Sequence, residues 1–536
     1  MPAVLQMLVK TSRSRYFPAV LSALVSLAVY VVCLRGTYIY DDRLLLEDDP
    51  RTQLPIQWVR LWKESYNGGV DLLYRPLTSM TYAVQNLLHR GWAMPFHLVN
   101  WLLHAAVVVV LVELVRRCSN ARIAMFVGLI FAIHPIHVEV VVNIVGRAEE
   151  LCALFTLGAL LIFVTPPLTT KKTIAILFCT LCAIGFKEQG ILMPAFLLFA
   201  WYFLRRQSIN DPLNPARESE QKALKLLLIL ICWAVAGYII TREQFLKFEW
   251  DRSFLESSVN PVVLSQGWDK VLMPLVILGR YSALMIAPVH QSIDYGARVV
   301  GSHAQMNNPY LWIGIATSFA WLITFIVAMR KQSSLLVFAL LCAGICYGLI
   351  GNIVTIIGTV MGERLLYLPS AFLLIAAGVM WNALPKKLGN TLLIVLVALG
   401  TFRTVDYSRR WNDRLGLYEY LQAQQPDSAN LYALVAEEYR QHGDLQSAAE
   451  VLSRGRNRIP ENWGLWVQSA IVATDQGKLD DAQQFVDRAF QLRPMPNLIG
   501  VFDRLERLKQ FRAKGLLVDP ASRPARPRAN DSNRSR

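Results

Sequence analysis

The sequence predicts an all-α protein in which a polytopic membrane helical bundle is followed by a short soluble helical-repeat domain. Three observations carry that expectation. Of 536 residues, 54% are hydrophobic and only 17% are charged, with a mean hydropathy of +0.35, unlike a soluble globular enzyme. Apolar runs of about 17 to 22 residues recur between short charged loops, the length that crosses a hydrocarbon core about 30 Å thick. Past residue 404 the composition changes and Pro426, Pro460 and Pro494 recur at a spacing of 34.

The first apolar run, Phe17 to Cys33, follows Lys10, Arg13 and Arg15 as a secretory signal would. It lacks a small-residue cleavage site and many further runs follow, so it reads as a retained first helix. By the positive-inside rule the N-terminus is inside, together with Arg116, Arg117 and Arg122, Lys171 and Lys172, and the stretch Arg205 to Lys225. Arg330 with Lys331 and Lys386 with Lys387 join them only if Val271 to Pro288, which carries Arg280, is re-entrant or lies on the surface. The result is about eleven spans in a membrane domain over residues 1–404, with a first outer loop at 36–95 and everything after 404 outside. The net charge of +15 does not imply nucleic acid, because the basic residues sit in short loops and in the tail, with no basic helix interleaved with aromatics. The eight cysteines lie in or beside apolar runs and read as packing residues, including Cys179 and Cys182 and the pair Cys342 and Cys346.

Aligning on the prolines gives Tyr432, Ala436, Tyr439, Ala448 and Pro460, then Trp466, Ala470, Ala482, Ala489 and Pro494. Aromatic, small, small and proline at this period are the signature of tetratricopeptide helix pairs. Small residues let helices approach, and proline cannot continue one. Ser469, where a larger apolar residue is usual, weakens the second repeat. The segment "LIGVFDRLERLKQFRAKGLL" reads as a capping helix. Residues 405–428 form a connecting helix, 429–518 the repeat domain, and 519–536 a basic tail whose Pro, Arg and Ser content predicts disorder.

The predicted topology gathers the polar stretches on the outer side: "GTYIYDDRLLLEDDPRTQ", "HPIHVEVVVNIVGRAEE", "FKEQG" and "GERLLYLPS". Ionisable residues at a membrane boundary are costly unless paired or hydrated, so their concentration there points to an outward-opening polar cavity. Such a cavity suits an inverting glycosyl transfer from a lipid-phosphate sugar. Asp41 or Asp42 is the candidate base for the attacking hydroxyl. Arg75, Arg147, Lys187 and Arg364 are candidates to hold the departing phosphate, where positive charge opposes the developing negative charge. Glu47, Asp48 and Asp49 rank lower, as a loop that orients an acceptor or faces water.

His134, His137 and Glu139 have a spacing like that of metal ligands, although Pro135 spoils a clean helical face. Together with Glu188 they are candidates for acceptor or metal contacts. No metal is assigned, a divalent ion is left open, and the only cofactor-like ligand expected is the lipid-phosphate-linked sugar. Structural alternatives stand beside each: a solvated helix exit for the acidic pair, a snorkelling Arg75, hydrogen-bonded core histidines, and mutual ion pairs for Lys187 with Glu188 and Arg364 with Glu363.

The blocks "YRPLTSMTYAVQ", "PFHLVNWLLHA", "FAIHPIHVEVVVNIVGRAEEL", "GFKEQGIL", "GERLLYLPS" and "RTVDYSRRWNDRLGLYEYLQ", in that order and followed by the repeats, resemble the transmembrane-and-tetratricopeptide family of protein O-mannosyltransferases. The resemblance implies a type C glycosyltransferase fold, a polyprenyl-phosphate sugar as donor and Ser or Thr hydroxyls of proteins as acceptors. It places the catalytic acidic pair at Asp41 and Asp42 and donor-phosphate contacts at Arg147, Lys187 and Arg364. For animal members it implies dolichyl-phosphate mannose and the endoplasmic reticulum lumen. Only about two repeats are visible and the end "ANDSNRSR" carries no retention signal, which leaves room for an undecaprenyl-phosphate sugar and a periplasmic site.

The acceptor protein is expected to dock through the repeats. The same chemistry on a glycolipid or envelope polysaccharide, and a non-catalytic assembly factor anchored by its spans, are the alternatives. A secondary transporter is disfavoured because the chain shows no internal inverted repeat.

Overall fold

The computed structural model describes residues 15–493 except 69–72, 207–208, 210–216, 247–259 and 302, together with 506 and 510. Among the described residues every regular element is helical, as the apolar periodicity predicts. The chain divides into two compact units, Met1–Leu417 and Tyr418–Arg536. The division falls inside the helix Arg414–Gln424, within the stretch read from sequence as a connector.

Among the described residues of the first unit, six helices are long and apolar enough to cross a membrane: Phe17–Arg35, Ala93–Cys118, Arg217–Leu246, Pro309–Arg330, Glu363–Asn382 and Lys386–Arg410. A seventh forms if Ala121–Ile133 and Pro135–Val142, bent by 51°, count as one span. The bend has a local cause. Pro135 cannot donate to the helix ladder and forces His134 into an extended conformation. The chain is thus an all-α polytopic membrane protein. Further apolar runs counted in the sequence fold as shorter helices, Arg147–Phe163, Thr170–Phe186 and Ser334–Ile350, each of 17 residues. Asp269–Ile286, expected to be re-entrant or surface-lying, is an 18-residue helix that carries Asp269, Lys270 and Arg280 and is not among the apolar spans.

Burial sorts these helices. Of the apolar window in Glu363–Asn382, 72% is buried, against 11% in Lys386–Arg410 and 17% in Pro309–Arg330. The first is central and the other two present apolar side chains outward, as lipid-facing helices do. Asp269–Ile286 packs against Pro309–Arg330 at two glycines. A Cβ on Gly279 would stand 1.8 Å from the Tyr310 carbonyl oxygen, and one on Gly314 would stand 1.9 Å from that of Leu275. Close backbone approach is how small residues join helices where lipid offers no hydrophobic driving force. Gly314→Val is expected to force the pair apart and cost about 1–3 kcal/mol, read as a lower midpoint in denaturant unfolding of the detergent-solubilised protein.

Among the described residues of the second unit two helix pairs follow one another, Ala429–Gln441 with Leu445–Arg458 and Trp463–Asp475 with Leu479–Leu492. Each helix of the second pair begins 34 residues after its counterpart: Trp463 after Ala429, Leu479 after Leu445. The turns repeat too. Ser428 and Asn462 cap the first helices by accepting from Leu431 N at 3.2 Å and Leu465 N at 3.1 Å, and Gly443 and Gly477 both have positive φ. Ala448, Ala482 and Ala489 are fully buried. Ser469 is buried with its hydroxyl donating to the Leu465 carbonyl at 2.7 Å, so the polar atom is satisfied within its own helix. Pro494, the expected capping helix and the basic tail lie outside the described residues, apart from Glu506 and Gln510.

Candidate functional site

Loops and short helical turns, rather than long helices, build the site. The chain leaves Phe17–Arg35 extended, takes a left-handed turn at Tyr40 and starts a short helical segment at Asp41 and Asp42. The two aspartates therefore point to different surroundings. Asp42 is fully buried. Its Oδ1 accepts from Val145 N at 2.8 Å, and its Oδ2 accepts from Ile144 N at 3.2 Å and Ile39 N at 3.3 Å. This ties the first loop to the turn Ile144–Gly146. Asp41 is part-exposed, and its Oδ2 accepts from Arg364 Nη1 at 2.7 Å.

Around Asp41 the blocks read from the sequence converge. Arg364 also donates its backbone N–H to Glu139 Oε2 at 3.0 Å, with its Nε 3.8 Å from Glu139 Oε1. Arg75 makes a forked pair with Glu188, at 3.0–3.1 Å, and lies over the Tyr66 ring at 5.0 Å. Burial opposes the charge on Glu188, yet Arg75, and then Lys187, hold its carboxyl below the usual range. Lys187 donates to Glu149, and both side chains are buried. Thr78 bonds the Phe186 carbonyl at 2.8 Å and Gln189 the Leu365 carbonyl at 3.1 Å, which pins "YRPLTS", "GFKEQG" and "GERLL" to one another.

These groups surround a small cavity of about 30 Å³, lined by Asp41, Leu45, Tyr66, Asn67, Leu73, Arg75, Val145, Glu149 and Arg364. It has room for one or two waters, so a hexose enters only if the rim opens.

Of the residues singled out from sequence, Asp41, Arg75 and Arg364 line the cavity, and Glu139 and Glu188 pair with its cations. The others stand outside its lining. Arg147 is buried between the rings of Tyr82 and Phe96 and donates to Asn100 Oδ1 at 3.0 Å and the Phe96 carbonyl at 3.1 Å. His134 bonds the Met285 carbonyl at 3.0 Å and accepts from Ile136 N at 3.2 Å. His137 bonds the Phe131 carbonyl at 2.9 Å and the Ser370 hydroxyl at 2.8 Å. Both rings are thus occupied in holding the bend. Among the described residues no group of three or more His, Cys, Asp or Glu side chains is placed to hold a metal.

Neither ion pair offered as a local alternative forms in that way. Lys187 pairs with Glu149 rather than Glu188, and Arg364 with Asp41 and Glu139 rather than Glu363. Glu363 instead accepts from Ser292 N and Tyr295 Oη, both at 2.7 Å, and from Gln291 Nε2 at 2.9 Å, which anchors the loop after Asp269–Ile286. Asp49 is buried against Arg51 at 2.7 Å and does not face water. Glu149 and Tyr66 were missed as site residues. The available signal for Glu149 was an acidic pair opening an apolar helix, since a charge there needs a partner.

Asp42 has a pH consequence. Burial, against the pull of the backbone N–H donors, pushes its carboxyl up to about 8. The folded protein binds this proton more tightly than the unfolded chain, so the stabilisation is full below the ordinary carboxylate range and is lost as pH rises through about 8. Thermodynamic stability should fall with pH across that window, by up to about 1.4 kcal/mol per pH unit from this one group. Unfolding of wild type and Asp42→Asn at a series of pH values checks this, and the variant's slope should be shallower than that of wild type by this one group's share.

No protein-family profile and no solved structure matches the chain. Among curated proteins it is 26% identical over 416 residues to protein O-mannosyl-transferase F38B6.6 of Caenorhabditis elegans, covering 74% of this chain and 56% of that one. It is 24% identical over 430 residues to protein O-mannosyl-transferase TMTC3 of Mus musculus, covering 73% and 45%. It is 31% identical over 169 residues to protein O-mannosyl-transferase TMTC4 of Homo sapiens, covering 27% and 23%. The chain spans about half the length of the first two of these relatives. Over most of its own length, then, the chain is similar to animal proteins named protein O-mannosyl-transferases, as its ordered sequence blocks indicate.

Proposed function

We propose that the chain is a membrane-embedded, inverting glycosyltransferase that moves mannose from a polyprenyl-phosphate carrier to Ser or Thr hydroxyls of proteins on the lumenal or periplasmic side. The observation that carries this reading is the cavity in which Asp41 meets Arg364, with Arg75 and Glu149 in the same wall. The names of the relatives support the substrate class.

In the proposed step the acceptor hydroxyl oxygen forms a bond to the anomeric carbon on the face opposite the phosphate. The bond between that carbon and the phosphate oxygen breaks, and its electron pair leaves with the phosphate. The hydroxyl proton passes to Asp41. A phosphodiester thereby becomes a monoester with one more negative charge, which Arg364 and Arg75 oppose. One displacement gives one inversion. Asp42, with both oxygens on backbone amides, positions the loop that carries Asp41. The helix pairs of the second unit, read as tetratricopeptide repeats, hold the acceptor protein.

The test is transfer by purified protein from radiolabelled polyprenyl-phosphate sugars, dolichyl and undecaprenyl, to an acceptor peptide and to a host lysate, with and without divalent cations. Mannosylated protein with inverted anomeric configuration is expected. Donor turnover that labels lipid or polysaccharide but no protein would overturn the protein acceptor, and no donor binding across the panel would leave a non-catalytic scaffold.

A further inference from the structure

One wall residue of the cavity is only half used. The Glu149 side chain is 2% exposed; one carboxylate oxygen receives the Lys187 ammonium, and the other, Oε2, is buried without a hydrogen-bond partner. A buried carboxylate oxygen left without a donor is costly, and such atoms in a folded protein call for an explanation. Glu150, next to it in the chain, also has both carboxylate oxygens buried without a partner, but it does not line the cavity, and the other carboxylates at the cavity are engaged. Both Glu188 oxygens are engaged by Arg75, Glu139 Oε2 takes the Arg364 N–H, and Asp41 Oδ2 takes the Arg364 guanidinium.

The chemistry of the missing partner is constrained. A carboxylate is an acceptor only, so the partner is a donor. Lys187 already balances the Glu149 charge, and Arg75 and Arg364 line the same cavity, so a further cation would add repulsion. A phosphate would bring like charge to the carboxylate. A neutral O–H group fits both limits, and a hexose presents several.

We propose that Glu149 is a sugar-recognition residue whose free oxygen accepts a hydrogen bond from one ring hydroxyl of the donated sugar, in the cavity that holds Asp41 and the phosphate-binding arginines. This rests on the transferase reading of that cavity and deepens it. A site built to satisfy a substrate hydroxyl rejects the analogue that lacks it, because its own buried acceptor is then left unpaired. Glu149 thereby sets which sugar is accepted, whereas Asp41 and Arg364 serve any sugar phosphate.

The experiment measures equilibrium binding of mannosyl phosphopolyprenol and its 2-, 3-, 4- and 6-deoxy analogues to the full chain in nanodiscs, for wild type and Glu149→Gln, with transfer to an acceptor peptide in parallel. Glutamine keeps an oxygen for Lys187, a melting curve reports how much of each sample is folded so that binding is normalised to it, and the deoxy series on wild type needs no variant. The expected result is that one deoxy donor binds wild type roughly 10- to 100-fold more weakly than the parent. Glu149→Gln should lose a similar factor for the parent donor and no more for that deoxy donor. If the penalties multiply instead, or Glu149→Gln changes only the acceptor's KM, the proposal is overturned: Glu149 is then a counter-ion for Lys187 or an acceptor contact. Transfer without such selectivity removes this proposal and leaves the transferase reading. Selective binding without transfer does the reverse, and no donor binding removes both.

Discussion

Asp41→Asn should reduce glycosyl transfer by about 10²- to 10⁴-fold, the usual contribution of a positioned general base, while the melting temperature stays close to that of wild type. The second half follows from exposure. Asp41 and Arg364 are each 28% exposed, and a part-exposed pair contributes little to stability, the more so as Arg364 retains Glu139. Asp42→Asn should behave in the opposite way. The hydroxyl oxygen of the neutral carboxyl still accepts from a backbone N–H, whereas an amide NH2 cannot, so about 1–3 kcal/mol of stability is lost and activity falls with the folded fraction. Rates normalised to folded protein, measured beside unfolding curves, separate the two. A folded Asp42→Asn with no transfer, beside an active Asp41→Asn, would reverse the assignment of the base.

The second large effect belongs to Lys187. Its side chain is 3% exposed and that of Glu149 is 2% exposed. Removing one partner of such a pair leaves a buried charge uncompensated, which typically costs about 3–5 kcal/mol. Lys187→Met should be destabilised on that scale, and Lys187→Met with Glu149→Gln should recover most of the loss, because the double variant buries no charge. Denaturant unfolding of the four proteins closes the cycle. If Lys187→Met folds as wild type does and loses only donor affinity, the ammonium serves the phosphate rather than Glu149.

The sequence revealed different features with different clarity. Apolar runs and the 34-residue period are local patterns, so the helical class and the helix pairs could be read directly. Span count could not, because a hydropathy window merges what Pro135 bends, and because runs such as Arg147–Phe163 and Thr170–Phe186 stop at 17 residues. Site residues were legible as blocks but not as partners. Arg364 lies 323 positions from Asp41 and 225 from Glu139 in the chain, and no spacing rule joins them. The choice between Asp41 and Asp42 was invisible for the same reason, since it depends on the backbone amides of Ile144 and Val145. The partners of His134 and His137, the backbone carbonyls of Met285 and Phe131, are likewise set by the fold and by no spacing in the sequence.

The pairing of Arg364 with Asp41 has a consequence for timing. In this structure the candidate base is paired with Arg364, the cation proposed to hold the donor phosphate, and Arg75 and Lys187 are likewise engaged by Glu188 and Glu149. Under the proposed mechanism a weak anion has nothing to bind, and water has no unmasked base to activate. Only a ligand that offers Arg364 a better acceptor than Asp41 can take the guanidinium, and in doing so it releases the carboxylate. Arrival of the donor phosphate and arming of the base then become one exchange of partners, so the enzyme is idle until the sugar that must be transferred is in place.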